Sequence, residues 1–486
     1  MASDLKAKTL SGMLWSFVQR FGTMAISFVS NIVLARLLTP DDYGVIGMLM
    51  IFIAVSNTFI DGGFGSALIQ KKEPTQADYS TIFWWNMFLS IVLYGLLFLG
   101  APAVANFYNL PLLTDVLRVQ GFVLILNAMS IIQQNQLRKQ LKFKRLATVT
   151  VISATLSASI AIALAYMGWG VWALVAQQLM LSGFNAIQLW VLNKWYPLLT
   201  FSKESFKQLF GFGGFMLISN LINTLCNNIQ GFLIGKLCPP ATLGYYTQAR
   251  KLEEIPSTSL TNVVDQVSYP ILAKFQDDKQ KLIAIINRLV LSVSFISIPL
   301  MLMLIIFANP LILFLYSEKW LPCVPYFKIL CIAGLAISLQ GIHFCAVASV
   351  GKSKIMFKWT IVKRILGLIY LVVGITIWGI YGLLWASVAG SWTILIINAY
   401  LTSVHIGYRF KQQIIDMLPT IILAIVGYFV PMLILNFYDL SETIASIIHA
   451  VAFSIIYISS AHIFKIYAFE QIKETGREYI KKFRKR

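Results

Sequence analysis

The sequence predicts an all-α polytopic membrane protein: about fourteen transmembrane helices, arranged as two parallel six-helix lobes related by pseudo-two-fold symmetry, plus two extra C-terminal helices. Three observations predict it. The first is composition. Of 486 residues, 58% are hydrophobic and only 12% charged, against about 25% charged in a soluble domain, and the mean hydropathy is +0.74. So little charge cannot cover the surface of a water-soluble chain this long, so the solvent is lipid. The second is run length. The apolar stretches reach the roughly 20 residues that cross a bilayer as a helix, and no short alternating segments of the barrel kind accompany them. Helices are then the only way to satisfy the backbone in hydrocarbon. The third is an internal repeat, described below.

The spans follow in order. A polar stretch (1–10) leads into span one, 12–35, which is too long for a signal-peptide core and lacks a following small-residue cleavage pattern. Span two (43–68) ends before Lys71 and Lys72, and span three covers 81–107. Span four (113–134) precedes a basic loop holding Arg138, Lys139, Lys142, Lys144 and Arg145. Spans five (147–167) and six (170–192) are joined by a tight Trp-Gly connection and lead to Lys194, Lys203 and Lys207. Span seven covers 208–234. Span eight (243–271) is followed by Lys274, Lys279, Lys281 and Arg288, with span nine at 285–308. Span ten (322–348) leads to Lys352, Lys354 and Lys358. Spans eleven (356–377) and twelve (380–404) lead to Arg409 and Lys411, and spans thirteen (414–435) and fourteen (443–466) precede a basic tail.

With the N-terminus in the cytosol, every second loop is cytosolic. That side then holds 29 of the 39 Lys and Arg, counting Lys6, Lys8 and the tail from Lys465 to Arg486, while the outer loops hold Arg36, Lys236 and Lys319. Positive charge in short loops orients membrane helices with that side inside, so both termini are expected in the cytosol. The same count decides the weakest span. Residues 243–271 are polar enough for a hydropathy window to hesitate, but without a crossing there the basic loops at 352–358 and 409–411 would face outward. The stretch therefore spans, with its polar residues facing protein or water.

The repeat supports this topology. LARLLTPDDYG at 34–44 aligns with IGKLCPPATLG at 234–244, an offset of 200. WGVWAL from Trp169 recurs as WGIYGL from Trp378, offset 209, and Pro102 with Phe107-Tyr108 recurs as Pro310 with Leu315-Tyr316, offset 208. Three matches in one order indicate a duplication. Each unit holds an even number of spans, so the two share one orientation, and parallel repeats of this kind place a carrier's substrate site near the midplane. The expected organisation is an N-lobe over 1–200 (spans one to six), a C-lobe over 201–405 (spans seven to twelve), and a third part over 406–486 with spans thirteen and fourteen and a basic cytosolic tail.

Several function classes are set aside. The net charge of +19 sits in short loops and the tail, the membrane-orienting pattern, so nucleic acid is not expected as a partner. The five cysteines and four histidines form no CxxC or Cys/His cluster, so no metal and no disulfide framework is expected. GFLIGK at 231–236 lacks the spacing and the Ser/Thr of a phosphate-binding loop. No catalytic constellation emerges, and a membrane polymerase or ligase would need a larger outer loop than the short one near 309–321. The chain is expected not to be an enzyme.

Charge inside the spans is the informative feature, because a charged group in hydrocarbon costs at least about 2.5–3.5 kcal/mol and therefore faces an interior or a cavity. In span eight Thr247, Arg250, Glu254, Ser257, Thr261, Asp265 and Ser268 recur every three or four residues as one polar stripe, which predicts a water-lined face. The competing reading is that Arg250 and Glu254, one turn apart, neutralise each other within a packed interface. Arg20 sits nine residues into span one, roughly 14 Å deep. Lys328 lies near the outer third of span ten, and Lys363 and Arg364 lie two turns into span eleven, where snorkelling to the headgroups competes with a cavity position. Asp61 and Asp265, near the cytosolic ends of spans two and eight, are candidates for an inner gate or for binding a coupling ion, and Asp61 competes with a plain helix-capping role because Gly62 and Gly63 follow it. Basic groups outnumber acids within the spans. That favours an anionic substrate, and Arg suits phosphate through its bidentate fork.

Three stretches carry a family resemblance: LARLLTPDDYG at 34–44, DGGFGSALIQ at 61–70, and LGYYTQAR at 243–250 with its continuation to Asp278. On these the chain resembles the polysaccharide transporter branch of the multidrug/oligosaccharidyl-lipid/polysaccharide exporter superfamily, specifically Wzx proteins of the colanic-acid-exporter type, over residues 5–435. The resemblance implies a fourteen-helix carrier around a central cavity that flips undecaprenyl-pyrophosphate-linked oligosaccharide by alternating access, for surface polysaccharide or lipopolysaccharide. It implies a lipid-linked oligosaccharide as substrate, membrane lipids as surroundings, polysaccharide polymerase and export proteins as partners, and no cofactor beyond H+ or Na+ as a coupling ion. By position Arg20 and Arg250 match cationic residues that engage the pyrophosphate, with Lys328, Lys363 and Arg364 as weaker matches. The alternatives are an ion-coupled multidrug or organic-cation antiporter of the same fold and a flippase for a cell-wall lipid precursor.

Overall fold

The computed structural model describes residues 2–471, 473 and 474, with side chains left undescribed at 2–10, 212, 263, 265, 267 and 353. Among the described residues the chain is helical throughout and holds no strand. The helices are α1 (Ala2–Leu37), α2 (Pro40–Asp61), α3 (Phe64–Gln70), α4 (Gln76–Tyr108), α5 (Leu112–Gln120), α6 (Val123–Lys139), α7 (Phe143–Tyr166), α8 (Val171–Asn193) and α9 (Lys203–Leu237). They continue with α10 (Pro240–Lys274), α11 (Lys279–Ile306), α12 (Ala308–Tyr316), α13 (Val324–Ser349), α14 (Ser353–Ile406), α15 (Phe410–Leu435) and α16 (Glu442–Ile463). A 3-10 turn, Glu318–Cys323, precedes α13.

Each of the fourteen expected spans falls on helix. Ten of the helices are long and apolar enough to cross a membrane, or eleven if the bent α9 is one span. α8 and α10 lie outside that set, and α14 holds two limbs that meet at a non-helical break at Trp378 and Gly379. Unlike in a water-soluble protein, large apolar side chains cover the surface as well as the core. Asn86, Gln133 and Asn398 are buried, while Leu99 is 78% and Leu433 61% exposed. An apolar surface on this scale is what a lipid solvent requires, so the chain is a multi-pass membrane protein.

Local chemistry sets the boundaries. Thr39 caps α2 and Thr75 caps α4, each closing a reciprocal capping box with the Asp three residues on, Asp42 and Asp78. Pro40 occupies the first turn of α2, where its missing N–H costs nothing. Span two, expected as one helix over 43–68, is broken: Gly62 and Gly63 take left-handed conformations (φ 56° and 69°) and α3 restarts at Phe64. Space explains Gly63, since a Cβ there would fall 2.5 Å from the Gly213 carbonyl oxygen of α9. Span four is likewise interrupted at Gly121–Phe122, between α5 and α6.

Contacts group the described chain into two compact units, one up to Gly244 and the other from Tyr245 on. In the first, α1 packs on α7, α7 on α8, α6 on α8, α4 on α5 and α6, and α2 on α9. In the second, α13 packs on α14 and α11, while α15 packs on α16 and α11. The duplication is visible in backbone geometry. α2 and α10 begin at Pro40 and Pro240, and the two Trp-Gly turns match: Gly170 has φ 53°, ψ −131° and Gly379 has φ 60°, ψ −141°.

Candidate functional site

The polar stripe of span eight lies on α10, a continuous helix despite Pro256 and Pro270 inside it. Each proline removes one backbone N–H from the ladder, so the carbonyls of Leu252 and Gln266 lose their helical donors. Between the prolines, hydroxyls turn back onto the helix. Ser257 donates to the Glu253 carbonyl (3.1 Å), Thr258 to that of Glu254, and Thr261 to that of Ser257 (2.8 Å). A hydroxyl spends its single proton in such a bond, so these groups offer acceptor lone pairs, which suit sugar hydroxyls rather than phosphate.

The donors come from Arg250. Its Nε donates to Glu254 Oε1 at 2.6 Å and its Nη1 to Tyr246 Oη at 3.3 Å. The pair is half-exposed, with 33% of the Arg250 side chain and 44% of the Glu254 side chain accessible. At that exposure the ion pair adds little stability, but it aims the guanidinium. The structure thus brings Arg250, Glu254, Ser257 and Thr261 together on one helix, with Ser257 buried and Thr261 half-buried. Asp265, predicted on the same stripe, has its side chain outside the described residues. Lys251, next to Arg250, is exposed.

The remaining predicted residues stand elsewhere. Arg20 is exposed on α1, in the first unit. Asp61, also in the first unit, ends α2 at the glycine break, where it accepts from the Gly63 N–H and faces Arg138 of α6. Lys328 is half-buried on α13 and Arg364 is exposed on α14. Lys363 turns inward: it is buried and donates to Asn398 Oδ1 at 2.7 Å, across the two limbs of α14.

Sequence reasoning passed over several polar groups that the fold buries. Asn398 donates onward to the Gln340 carbonyl, and His343 bonds Thr402. Asn287, Tyr408 and Gln412 converge on Asp416 around a pocket of about 420 Å³. Glu253 is buried, and among the described residues its Oε1 lacks a hydrogen-bond partner. A carboxylate or amide inside a span was the available signal; Glu253 counts among the span acids, but its position off the polar stripe gave it no role.

Comparison with known proteins identifies the family and the fold. A family model described as "Polysaccharide biosynthesis protein" matches residues 33–325. Teichuronic acid biosynthesis protein TuaB of Bacillus subtilis is 26% identical over 73% of this chain and 74% of its own. Lipopolysaccharide biosynthesis protein WzxC of Escherichia coli is 23% identical over 87% of this chain and 88% of its own. Succinoglycan biosynthesis transport protein ExoT of Rhizobium meliloti is 22% identical over 75% and 74%. Among solved structures, the lipid II flippase MurJ in an inward closed conformation shares the fold with a TM-score of 0.72 at 15% identity, covering 93% of this chain and 98% of that one. An inward-facing multidrug resistance transporter of the MATE family follows at 0.58 and 15%, covering 80% and 96%.

Proposed function

The chain belongs to the polysaccharide biosynthesis protein family, and from that premise we propose that it flips an undecaprenyl-pyrophosphate-linked oligosaccharide across the bacterial inner membrane by alternating access. Surface polysaccharide or lipopolysaccharide is the end product. The observation that carries this reading is Arg250, half-exposed on α10, the helix of the expected eighth span, and aimed by Glu254 and Tyr246.

The physical problem is to move a pyrophosphate and a sugar through hydrocarbon, where unpaired charge and hydroxyls are very costly. A stripe with an Arg fork for phosphate oxygens and hydroxyl lone pairs for sugar lowers that barrier, while the polyprenyl tail stays in lipid. Arg20 and Arg250 engage the pyrophosphate; Glu254, Ser257 and Thr261 face the sugar. Lys328 and Arg364 add positive potential, and Lys363 joins them when its bond to Asn398 opens. The moving parts are an N-lobe over 1–200 and a C-lobe over 201–405, with both termini in the cytosol and spans thirteen and fourteen appended. An H+ or Na+ gradient drives the cycle, with Asp61 and Asp265 as gate or ion-binding acids; flipping indifferent to ionophores would count against this. No ATP and no covalent step is required, so the chain acts as a carrier rather than an enzyme, and hands its cargo to polymerase and export proteins.

Proteoliposome translocation of a fluorescent lipid-linked oligosaccharide tests the reading. Wild type is expected to flip the lipid, and Arg250→Ala and Arg20→Ala to lose flipping while remaining folded. Equal flipping by all three chains would keep the function and discard the site. No flipping across several lipid-linked substrates would replace the function with export of organic cations.

A further inference from the structure

Glu253 is the buried acid that the proposed site does not use. Its side chain leaves the polar stripe of α10 and packs within the second unit, where 4% of the residue is exposed and Oε1 has no hydrogen-bond partner among the described residues. The seat is shaped by a missing side chain. A Cβ on Gly334 of α13 would fall 2.4 Å from Glu253 Oε1 and 3.2 Å from Met301 Sδ of α11. Among the described residues, the titratable and polar groups within reach are Tyr246, Arg250, Glu254 and Ser257 on its own helix and the Cys331 thiol on α13; α11 presents the uncharged Met301.

We propose that Glu253 is a proton-binding site whose occupancy sets the affinity of Arg250 for an anionic substrate. The surroundings choose the ligand. A hard cation such as Na+ needs several oxygen donors, whereas this seat offers a thioether, a thiol, a glycine and one hydroxyl already bonded to its own helix. A proton needs only the carboxylate. An ionised carboxylate there would have no donor at Oε1, an arrangement low-dielectric surroundings penalise heavily, and a proton on the carboxyl removes that penalty.

Arg250 links the proton to the substrate. Ionised Glu253 competes with an incoming pyrophosphate for the Arg250 charge, and protonated Glu253 does not. Proton binding therefore tightens anion binding, and by reciprocity the bound anion tightens proton binding. This linkage rests on the flippase reading; the proton site by itself does not.

The test uses the full chain in lipid nanodiscs. Infrared spectra of wild type are expected to hold a protonated-carboxyl band that Glu253→Gln lacks, and identical spectra would overturn the site. Binding of a fluorescent polyprenyl pyrophosphate should tighten toward acid pH in wild type and follow a flatter profile in Glu253→Gln, which mimics the protonated form and should match the acid limit of wild type. The same profile in both chains would overturn the linkage. Failure of either chain to bind the probe would sink the substrate reading, while the infrared comparison still decides the proton site. Should Glu253→Gln not fold, Gly334→Ala crowds Oε1 and is expected to shift the same band; an unmoved band would overturn the proposal.

Discussion

Gly44 and Gly244 occupy matching places in the two repeats, and each lies against the other repeat's proline. A Cβ on Gly44 would fall 2.0 Å from the Pro240 carbonyl oxygen, and one on Gly244 would fall 2.0 Å from that of Pro40. The first turns of α2 and α10 therefore meet backbone to backbone in a reciprocal, nearly two-fold contact. Only glycine permits that approach, as it does where small residues seat membrane helices on one another.

Alanine at either glycine must part the two turns, because the atom it meets is backbone and cannot rotate away. Gly44→Ala and Gly244→Ala are each expected to cost about 1–3 kcal/mol, the usual penalty for overpacking. Since the first substitution already opens the contact, the double variant should cost clearly less than the sum. Thermal melts of the four chains in one detergent check this; full additivity would show that the two glycines do not share a contact.

Lys139 is a structural residue as well as part of a basic loop expected to face the cytosol. Its ammonium donates to the carbonyls of Leu68 (3.0 Å), Ile69 (3.2 Å) and Lys71, closing the C-terminal end of α3. Lys139→Met keeps much of the stem and removes the donors, leaving those carbonyls without it, at about 1–3 kcal/mol. A melting temperature equal to that of wild type would show that water replaces the ammonium without loss.

Tyr408, in the connection between α14 and α15, donates to Asp416 Oδ2 at 2.6 Å and accepts from Asn287 at 2.8 Å. Burial first, and then the Asp416 carboxylate, push its phenol above the ordinary tyrosine range. A raised acid holds its proton longer folded than unfolded, so its contribution is fully present below the unfolded value of about 10 and drains away as pH rises beyond it. Wild type should lose stability between pH 10 and 12 more steeply than Tyr408→Phe, on this reasoning. Parallel pH profiles in that window would refute it.

The repeated Trp-Gly turn makes a paired prediction. Gly170 and Gly379 both combine positive φ with ψ near −140°, a region that side chains enter only at about 1–3 kcal/mol. At Gly379 nothing crowds an added Cβ, whereas at Gly170 Asp42 Oδ1 would lie 3.2 Å away. Alanine at Gly379 thus reports backbone strain alone, and alanine at Gly170 should cost at least as much. A larger loss at Gly379, measured by thermal unfolding, would contradict this account.

Read alone, the sequence determined the solvent, the helix number, the expected orientation and the duplication, because each depends on averages over many residues. Hydropathy sums over twenty positions, loop charge over a whole chain, and repeats over hundreds of residues, so local errors cancel. It also placed Arg250, Glu254, Ser257 and Thr261 on one helix, since helical spacing is a one-dimensional property. Tertiary structure decided what depends on a neighbour. The break at Gly62 and Gly63 follows from Gly213 lying close by, and Lys363 turns inward because Asn398 waits on the other limb of its own helix. The same holds for Glu253, which helical spacing sets off the stripe of Glu254 without saying what it meets there. One carboxyl meets an arginine and the other meets Gly334, because successive residues on a helix point about 100° apart and only the fold says what stands in each direction.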